Sequence, residues 1–517
     1  MVGMTQTPAA ARALRVPGYR ARGRRRAGRD LWWLAGVCAA YTLAQLAFVA
    51  PGSGLGWDET VYVSQVSPDA ATAFFSAPRA RGITYLAAPV TLWTSSVPLL
   101  RLYLAVLSGA ALLGALLIWR RLLPPPVPAL AGALFGSLWI TLFYGPQVMP
   151  NLWVALGALA ATGCFLRAAR DPRDRAALAG LGAALALVAL MRPSDALWLG
   201  LPLALAALCV RPWRRPLLLL ALAAGAALGS APWVIEAYTA YGGLGTRLER
   251  ASEIQGHLRP HLAFGHQLRS LGGRALCRPC GGPWKQPVTG VWWLLLPPLV
   301  LAGAVMAARR RLTAPVLLAT LTGLSLAVPY LFFIGYAAAR FLLPAYALLA
   351  IPVALCLAGL ARRARARTLT ALALALLLAG HLAIQSAVLH SAADRVRTMR
   401  TALGDTAAEL RRQGLRPPCV VSGEEAVRIA YRTGCASRQT SGHDRSTSEA
   451  AMRRLARARP VAVILNAGAT PPGYARTWRT HRLPALTGLD APRAFLSPSA
   501  GAAGPGSGEA PAGPRER

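Results

Sequence analysis

Leu31 to Ala50 reads LWWLAGVCAAYTLAQLAFVA, twenty residues without a charge, and Gly56-Trp57-Asp58-Glu59-Thr60 follows shortly after. About 20 apolar residues are what a helix needs to cross the hydrocarbon core of a bilayer. The segment therefore predicts a transmembrane helix, with Asp58 and Glu59 within a turn or two of the membrane surface. They are the only acids near that outer end, in a chain of 517 residues with 20 acids and 56 basic residues. A carboxylate pair at a membrane edge is either a solvated loop start or a working site. The rest of the chain decides between them.

Hydrophobic residues make up 55% of the sequence, in runs too long for a soluble core, so the chain reads as a polytopic membrane protein. The formal charge of +36 would point to nucleic acid in a soluble chain. Here the basic residues punctuate apolar runs, and Lys285 is the only lysine, which fits topology and a high-GC bacterial genome. No nucleic-acid partner is implied. Residues 1–30 read as a cytosolic, basic, disordered arm. The run after it is long for a signal peptide and many others follow, so it is kept as an uncleaved first helix.

Arginine clusters at 120–121, 167–175, 211–215, 309–311 and 362–367 flank the apolar runs, and the positive-inside rule places them in the cytoplasm with the N-terminus. Spans then fall near 31–50, 98–119, 127–145, 150–167, 176–191, 194–210, 217–235, 291–308, 313–334, 341–359 and 368–388, about eleven in all. The expected fold is an α-helical polytopic domain over 31–388 in the plasma membrane, with outer loops at 52–97 and 236–290. Within the first loop, 83–97 reads as an interfacial or re-entrant helix. From Leu389 the composition changes to strand, helix, helix, strand. Residues 389–497 predict a small extracytoplasmic α/β domain, and the Gly/Pro-rich 498–517 a disordered tail.

Cys38, Cys164, Cys209 and Cys356 lie in apolar runs and read as packing residues. Cys277 and Cys280 lie in the second outer loop, where a local disulfide, free thiols and a metal site are the open alternatives. Structural zinc needs four ligands, and only His257, His261 and His266 are near. Cys419 and Cys435 flank a strand and a helix, a spacing that fits a second disulfide in an outer domain. Ionisable residues inside spans are scarce, which disfavours a charge-coupled transporter. Arg79, Arg81, Arg192 and Arg340 stand on the side where positive charge is disfavoured. Each is either a snorkelling anchor or part of an outer-face pocket. With Asp58 they suggest a carboxylate and several guanidinium forks arranged for group transfer from a lipid phosphate.

In its order of motifs the chain resembles the GT-C superfamily of membrane glycosyltransferases, which includes protein O-mannosyltransferases and lipid A aminoarabinose transferases. The matching features are the acidic pair after the first helix, the stretch Ala77-Pro78-Arg79-Ala80-Arg81-Gly82-Ile83-Thr84-Tyr85-Leu86, and Arg101-Leu102. Leu190-Met191-Arg192-Pro193 and Arg340-Phe341-Leu342-Leu343-Pro344 complete the set. The resemblance covers the membrane region, but the first loop lacks the longer acidic, aromatic-rich helix of many members. The sugar and the acceptor class are therefore left open.

The resemblance implies sugar transfer from a polyprenyl-phosphate donor to an envelope glycan, lipid or protein on the outer face. Asp58 would be the general base of an inverting displacement. Arg340, with Arg79, Arg81 or Arg192, would stabilise the departing phosphate. Glu59 would orient the acceptor or bind a divalent cation, and metal dependence stays open. An inactive lipid-binding scaffold in envelope assembly is the alternative, with a transporter or flippase behind it.

Overall fold

Twenty-five residues, Arg24–Phe48, form the first helix, α1. The computed structural model describes residues 24–501 except 258, 279, 282–283, 285, 365–367 and 487, and the side chains of 24–27 and 363–364 are not described. The expected arm at 1–30 is thus corrected at its end. Residues 24–30 continue the helix backbone, and 1–23 lie outside the described residues. Contacts divide the chain into two units, with boundaries inside the first long loop, between Leu104 and Ala105, and between Ala392 and Ala393.

The first unit holds the membrane helices. After α1 come α2 (Trp57–Ser64) and α3 (Gly82–Thr91) of the first long loop, which belong mainly to the second unit. Then follow α4 (Val97–Trp119), α5 (Val127–Gly136), α6 (Trp139–Tyr144), α7 (Pro150–Arg170), α8 (Arg175–Met191), α9 (Pro193–Cys209) and α10 (Pro216–Ala240). The second long loop carries α11 (Leu244–Ile254) and α12 (Phe264–Ser270), and α13 (Val291–Arg309), α14 (Thr313–Phe332), α15 (Leu343–Ala364) and α16 (Thr368–Arg412) complete the series. Among the described residues eight helices are long and apolar enough to cross a membrane, and α5, α8 and α9 are shorter apolar helices. The chain is a multi-pass membrane protein.

Two expected boundaries change, and a third falls within a helix. The span expected at 127–145 is two helices, because the chain turns at Ser137-Leu138 and the side chain of Gln385 accepts the Trp139 N–H, at 2.8 Å, at the start of α6. Glu236 lies within α10 rather than at the start of a loop. The domain boundary expected at 389 lies inside an unbroken 45-residue helix, α16, within which the two units divide between Ala392 and Ala393.

Burial orders the bundle. The α15 span is buried along its length and α7 nearly so, whereas α1, α10 and α13 leave most of their apolar side chains outside, where lipid suits them. Small residues let the backbones approach: a Cβ at Gly229 of α10 would lie 2.2 Å from the carbonyl oxygen of Ala186 in α8.

The second unit contains a five-stranded sheet, built from β1 (Val420–Gly423), β2 (Ala436–Ser437), β3 (Val461–Leu465), β4 (Arg479–Arg482) and β5 (Arg493–Leu496) in the order β2-β1-β3-β5-β4. β1 pairs in parallel with β2 and β3, and β5 is antiparallel to β3 and β4. Period-two alternation sorts the strand residues. Val421, Ala462 and Ile464 face a core with Leu403 and Leu410 of α16 and Ile429 of α17 (Ala426–Thr433). Val420, Val461 and Val463 face Met452 of α18 (Glu449–Ala458) with Tyr474 and Trp478. Residues 498–500, expected in a disordered tail, form a 3-10 turn, and 502–517 lie outside the described residues.

Candidate functional site

Gly56 is extended and caps α2, so Asp58 and Glu59 fall in the first turn of a helix, where partial positive charge suits carboxylates. Their surroundings differ. Glu59 is buried at 2% exposure. One of its oxygens accepts the Gly56 N–H at 2.8 Å, and both accept from the Arg101 guanidinium. Arg101, equally buried in α4, also reaches Ser53 Oγ at 3.1 Å and the Gly54 carbonyl at 2.6 Å. Glu59 therefore fastens the start of α2 to α4. Glu59, expected to serve acceptor or cation, has an anchoring role by its hydrogen bonds.

The Asp58 side chain keeps 34% exposure, with Arg79 Nη2 2.9 Å from Oδ1. Arg79 is braced by Ser76 Oγ at 3.0 Å and lies 5.3 Å from the centre of the Tyr62 ring. Burial works against the Arg79 charge, but Asp58, Tyr62 and Asp444 outweigh it and hold the guanidinium protonated above its ordinary range. Asp444, from the loop between β2 and α18, is a third member of this cluster. Burial pushes its carboxyl up and the Asp58 charge adds to the rise, against the pull of Arg79.

The first unit holds the other three arginines. Arg81 donates to Glu236 Oε1 from Nε at 2.9 Å and from Nη2 at 2.6 Å, and Arg247 takes Oε2 at 2.9 Å. Arg247 is fully buried between the Trp233 and Tyr241 rings, 4.3 and 4.5 Å away. Gly82 lets this strand of chain close on the Arg192 turn, since a Cβ there would lie 2.5 Å from the Leu190 carbonyl oxygen.

Arg192 is extended, as a residue before proline must be, and Pro193 opens α9. Its Nε lies 3.2 Å from Asp195 Oδ2, and Tyr330 donates to Oδ1 at 2.6 Å. Arg340 occupies a 3-10 turn before α15 and donates to the Ala275 carbonyl at 2.8 Å and the Tyr144 hydroxyl at 3.4 Å. Phe341 brings the two together: the Arg192 and Arg340 guanidinium carbons lie 5.8 and 5.6 Å from its ring centre. Asp195 balances Arg192, so Arg340 supplies the net positive charge of this locus, just before the N-terminus of α15.

A disulfide joins Cys277 to Cys280, and Cys277 exchanges both backbone hydrogen bonds with Ala337, at 2.8 and 3.2 Å. This fixes Ala275 beside the Arg340 turn. A second disulfide joins Cys419 to Cys435 at the entries to β1 and β2. Among the described residues no three His, Cys, Asp or Glu side chains gather as a ligand set. With Glu59 committed to Arg101, the acidic pair does not fit a divalent cation.

No family model matches the sequence, and no curated protein does. Solved structures do. The structure of ArnT from Cupriavidus metallidurans bound to undecaprenyl phosphate is similar over 92% of this chain and 99% of its own, with TM-score 0.62 and 14% identity. The archaeal oligosaccharyltransferase AglB from Archaeoglobus fulgidus, in complex with an inhibitory peptide and a dolichol-phosphate, is similar over 84% of this chain and 69% of its own, with TM-score 0.52 and 14% identity. Both are GT-C superfamily membrane glycosyltransferases. The chain has the GT-C fold.

On this GT-C fold the motifs Asp58-Glu59, Arg192-Pro193 and Arg340-Phe341 are each ordered at a helix start. Sequence reading missed the partners: Asp444 for Arg79, Glu236 and Arg247 for Arg81, and Asp195 with Tyr330 for Arg192. Scarcity was the available signal, since any acid in so basic a chain is worth pairing with a nearby arginine.

Proposed function

We propose that this protein transfers a glycosyl group from a polyprenyl-phosphate donor to an envelope acceptor on the outer face of the plasma membrane. The observation that carries the reading is the contrast within the acidic pair: Glu59 is buried and fully engaged, while Asp58 stays partly exposed at the start of α2. The GT-C fold adds to it.

On this reading Asp58 accepts the proton of an acceptor hydroxyl while that oxygen attacks the anomeric carbon. The bond from that carbon to the phosphate oxygen breaks, its electron pair leaves with polyprenyl phosphate, and the configuration inverts. Arg192 and Arg340 take the charge that gathers on the departing phosphate. Arg79 orients Asp58, and Arg81 is held by Glu236 as part of the wall beside the Arg192 turn.

The test is transfer from polyprenyl-phosphate sugars labelled in the sugar, using membranes that express the chain and membranes that lack it. Labelled envelope product of inverted anomeric configuration supports the reading. Binding of the donor without any product favours the scaffold.

A further inference from the structure

The second unit contains a cavity of about 810 Å³ that the proposed chemistry does not use. That volume is in the range of ligand pockets, roughly 300–1,000 Å³. One wall is a single face of α16, on which Arg400, Gly404, Ala407 and Arg411 recur at helical spacing. Two small residues thus form a floor between two arginines about 16 Å apart along the helix axis. Arg428 and Arg432, four residues apart on α17, stand opposite.

Two of these four arginines are fixed by partners at the rim. Arg411 donates to the Arg432 carbonyl at 3.0 Å, and Arg428 leans on Glu425 at 2.5 Å. Arg400 and Arg432 both close on Gly54, where an added Cβ would lie 3.0 Å from Arg400 Cβ and 3.5 Å from Arg432 Nη2. Asp69 is the one carboxylate among the lining residues. Glu425 balances Arg428 and Asp69 offsets part of the rest, so the lining keeps a net positive charge that an anion of matching length relieves. A single phosphate is too small to reach guanidinium groups spread over this length. Arginine forks suit phosphate oxygens bidentately.

We propose that this cavity binds a ligand carrying two or more phosphate groups. Thr60 lines it from α2, the helix that carries Asp58. Asp58 is not among the lining residues and lies about 200° around α2 from Thr60, so the phosphates bind on the other face of that helix from the base. Resting on the transferase reading, the ligand is the acceptor: a glycan or lipid headgroup whose phosphates anchor it there.

The test titrates the full chain, in nanodiscs of phosphatidylcholine, with inorganic tripolyphosphate and with orthophosphate as the single-group control. Tripolyphosphate should bind more tightly than orthophosphate and weaken as salt rises. Arg400→Gln with Arg432→Gln should lower its affinity by about tenfold or more. Gly404→Glu should do the same by placing a carboxylate on the floor, where 4.0 Å separates the new Cβ from Arg432 Nη1. A lower tripolyphosphate affinity in phosphatidylglycerol nanodiscs assigns the phosphates to lipid headgroups, and an unchanged affinity to a soluble glycan. No tripolyphosphate binding by the parent, or equal binding by parent and both variants, overturns the site.

The acceptor assignment is read separately. Tripolyphosphate should slow sugar transfer by the parent, and a higher concentration should be needed for Gly404→Glu. Equal sensitivity overturns that assignment. Asp58→Asn should retain tripolyphosphate binding, so undiminished transfer by that variant would defeat the transferase reading and leave the phosphate site standing.

Discussion

At Glu59 both carboxylate oxygens are engaged, one by Gly56 and both by Arg101, and neither partner of the pair reaches bulk water. Removing one member of such a pair strands a buried charge, at a cost of about 3–5 kcal/mol. Glu59→Gln should therefore lower the unfolding midpoint of the purified chain, and Glu59→Gln with Arg101→Met should recover part of it. A Glu59→Gln variant of unchanged stability and lost activity would return that residue to the chemistry. Asp444 differs, because burial and the neighbouring Asp58 push its carboxyl up from the ordinary 3.8. A raised acid binds its proton more tightly when folded, so stability falls as pH rises from 3.8 through the raised value. Asp444→Asn should be more stable than the parent at neutral pH, with the gap closing below pH 3.8. Thermal unfolding at acid and neutral pH reads this directly.

Among the elements, the Arg340 turn depends on the second long loop, through Ala275 and the backbone pairing of Cys277 with Ala337. Arg340→Lys keeps the charge but cannot hold Ala275 and Tyr144 and still present a fork. Charge-assisted hydrogen bonds contribute roughly 1.5–3 kcal/mol, so polyprenyl-phosphate binding should weaken about ten- to a hundredfold. Cys277→Ser with Cys280→Ser should move the same binding assay in the same direction by a smaller amount. The apolar helices were legible because lipid demands long apolar runs of each of them. Their ends were not, since the break before α6 depends on Gln385, far away in the chain. The edge strand β4 reads Arg479-Thr480-His481-Arg482, with no apolar alternation to mark it, as suits an exposed edge. The acid–arginine pairs were equally hidden, because Glu59 and Arg101 lie 42 residues apart and Arg81 and Glu236 lie 155 apart.

For the whole molecule, the arginine clusters predict a cytoplasmic N-terminus and an outer C-terminal domain. Single cysteines placed at Gly442 and at Pro68 should react with an impermeant maleimide in intact cells, and one at Asp174 only after permeabilisation. Reaction at Gly442 only after permeabilisation would put the α/β domain in the cytoplasm. Asp58, proposed as the base of a sugar transfer, is the residue on which that function turns. Asp58→Asn keeps the size of the side chain and removes the proton acceptor. General-base catalysis contributes about 10²–10⁴-fold, so transfer from a labelled polyprenyl-phosphate sugar should fall by that order in membranes of matched expression. Donor binding should persist in the same membranes. Transfer by Asp58→Asn at the parental rate would contradict the account and leave a lipid-binding scaffold in its place.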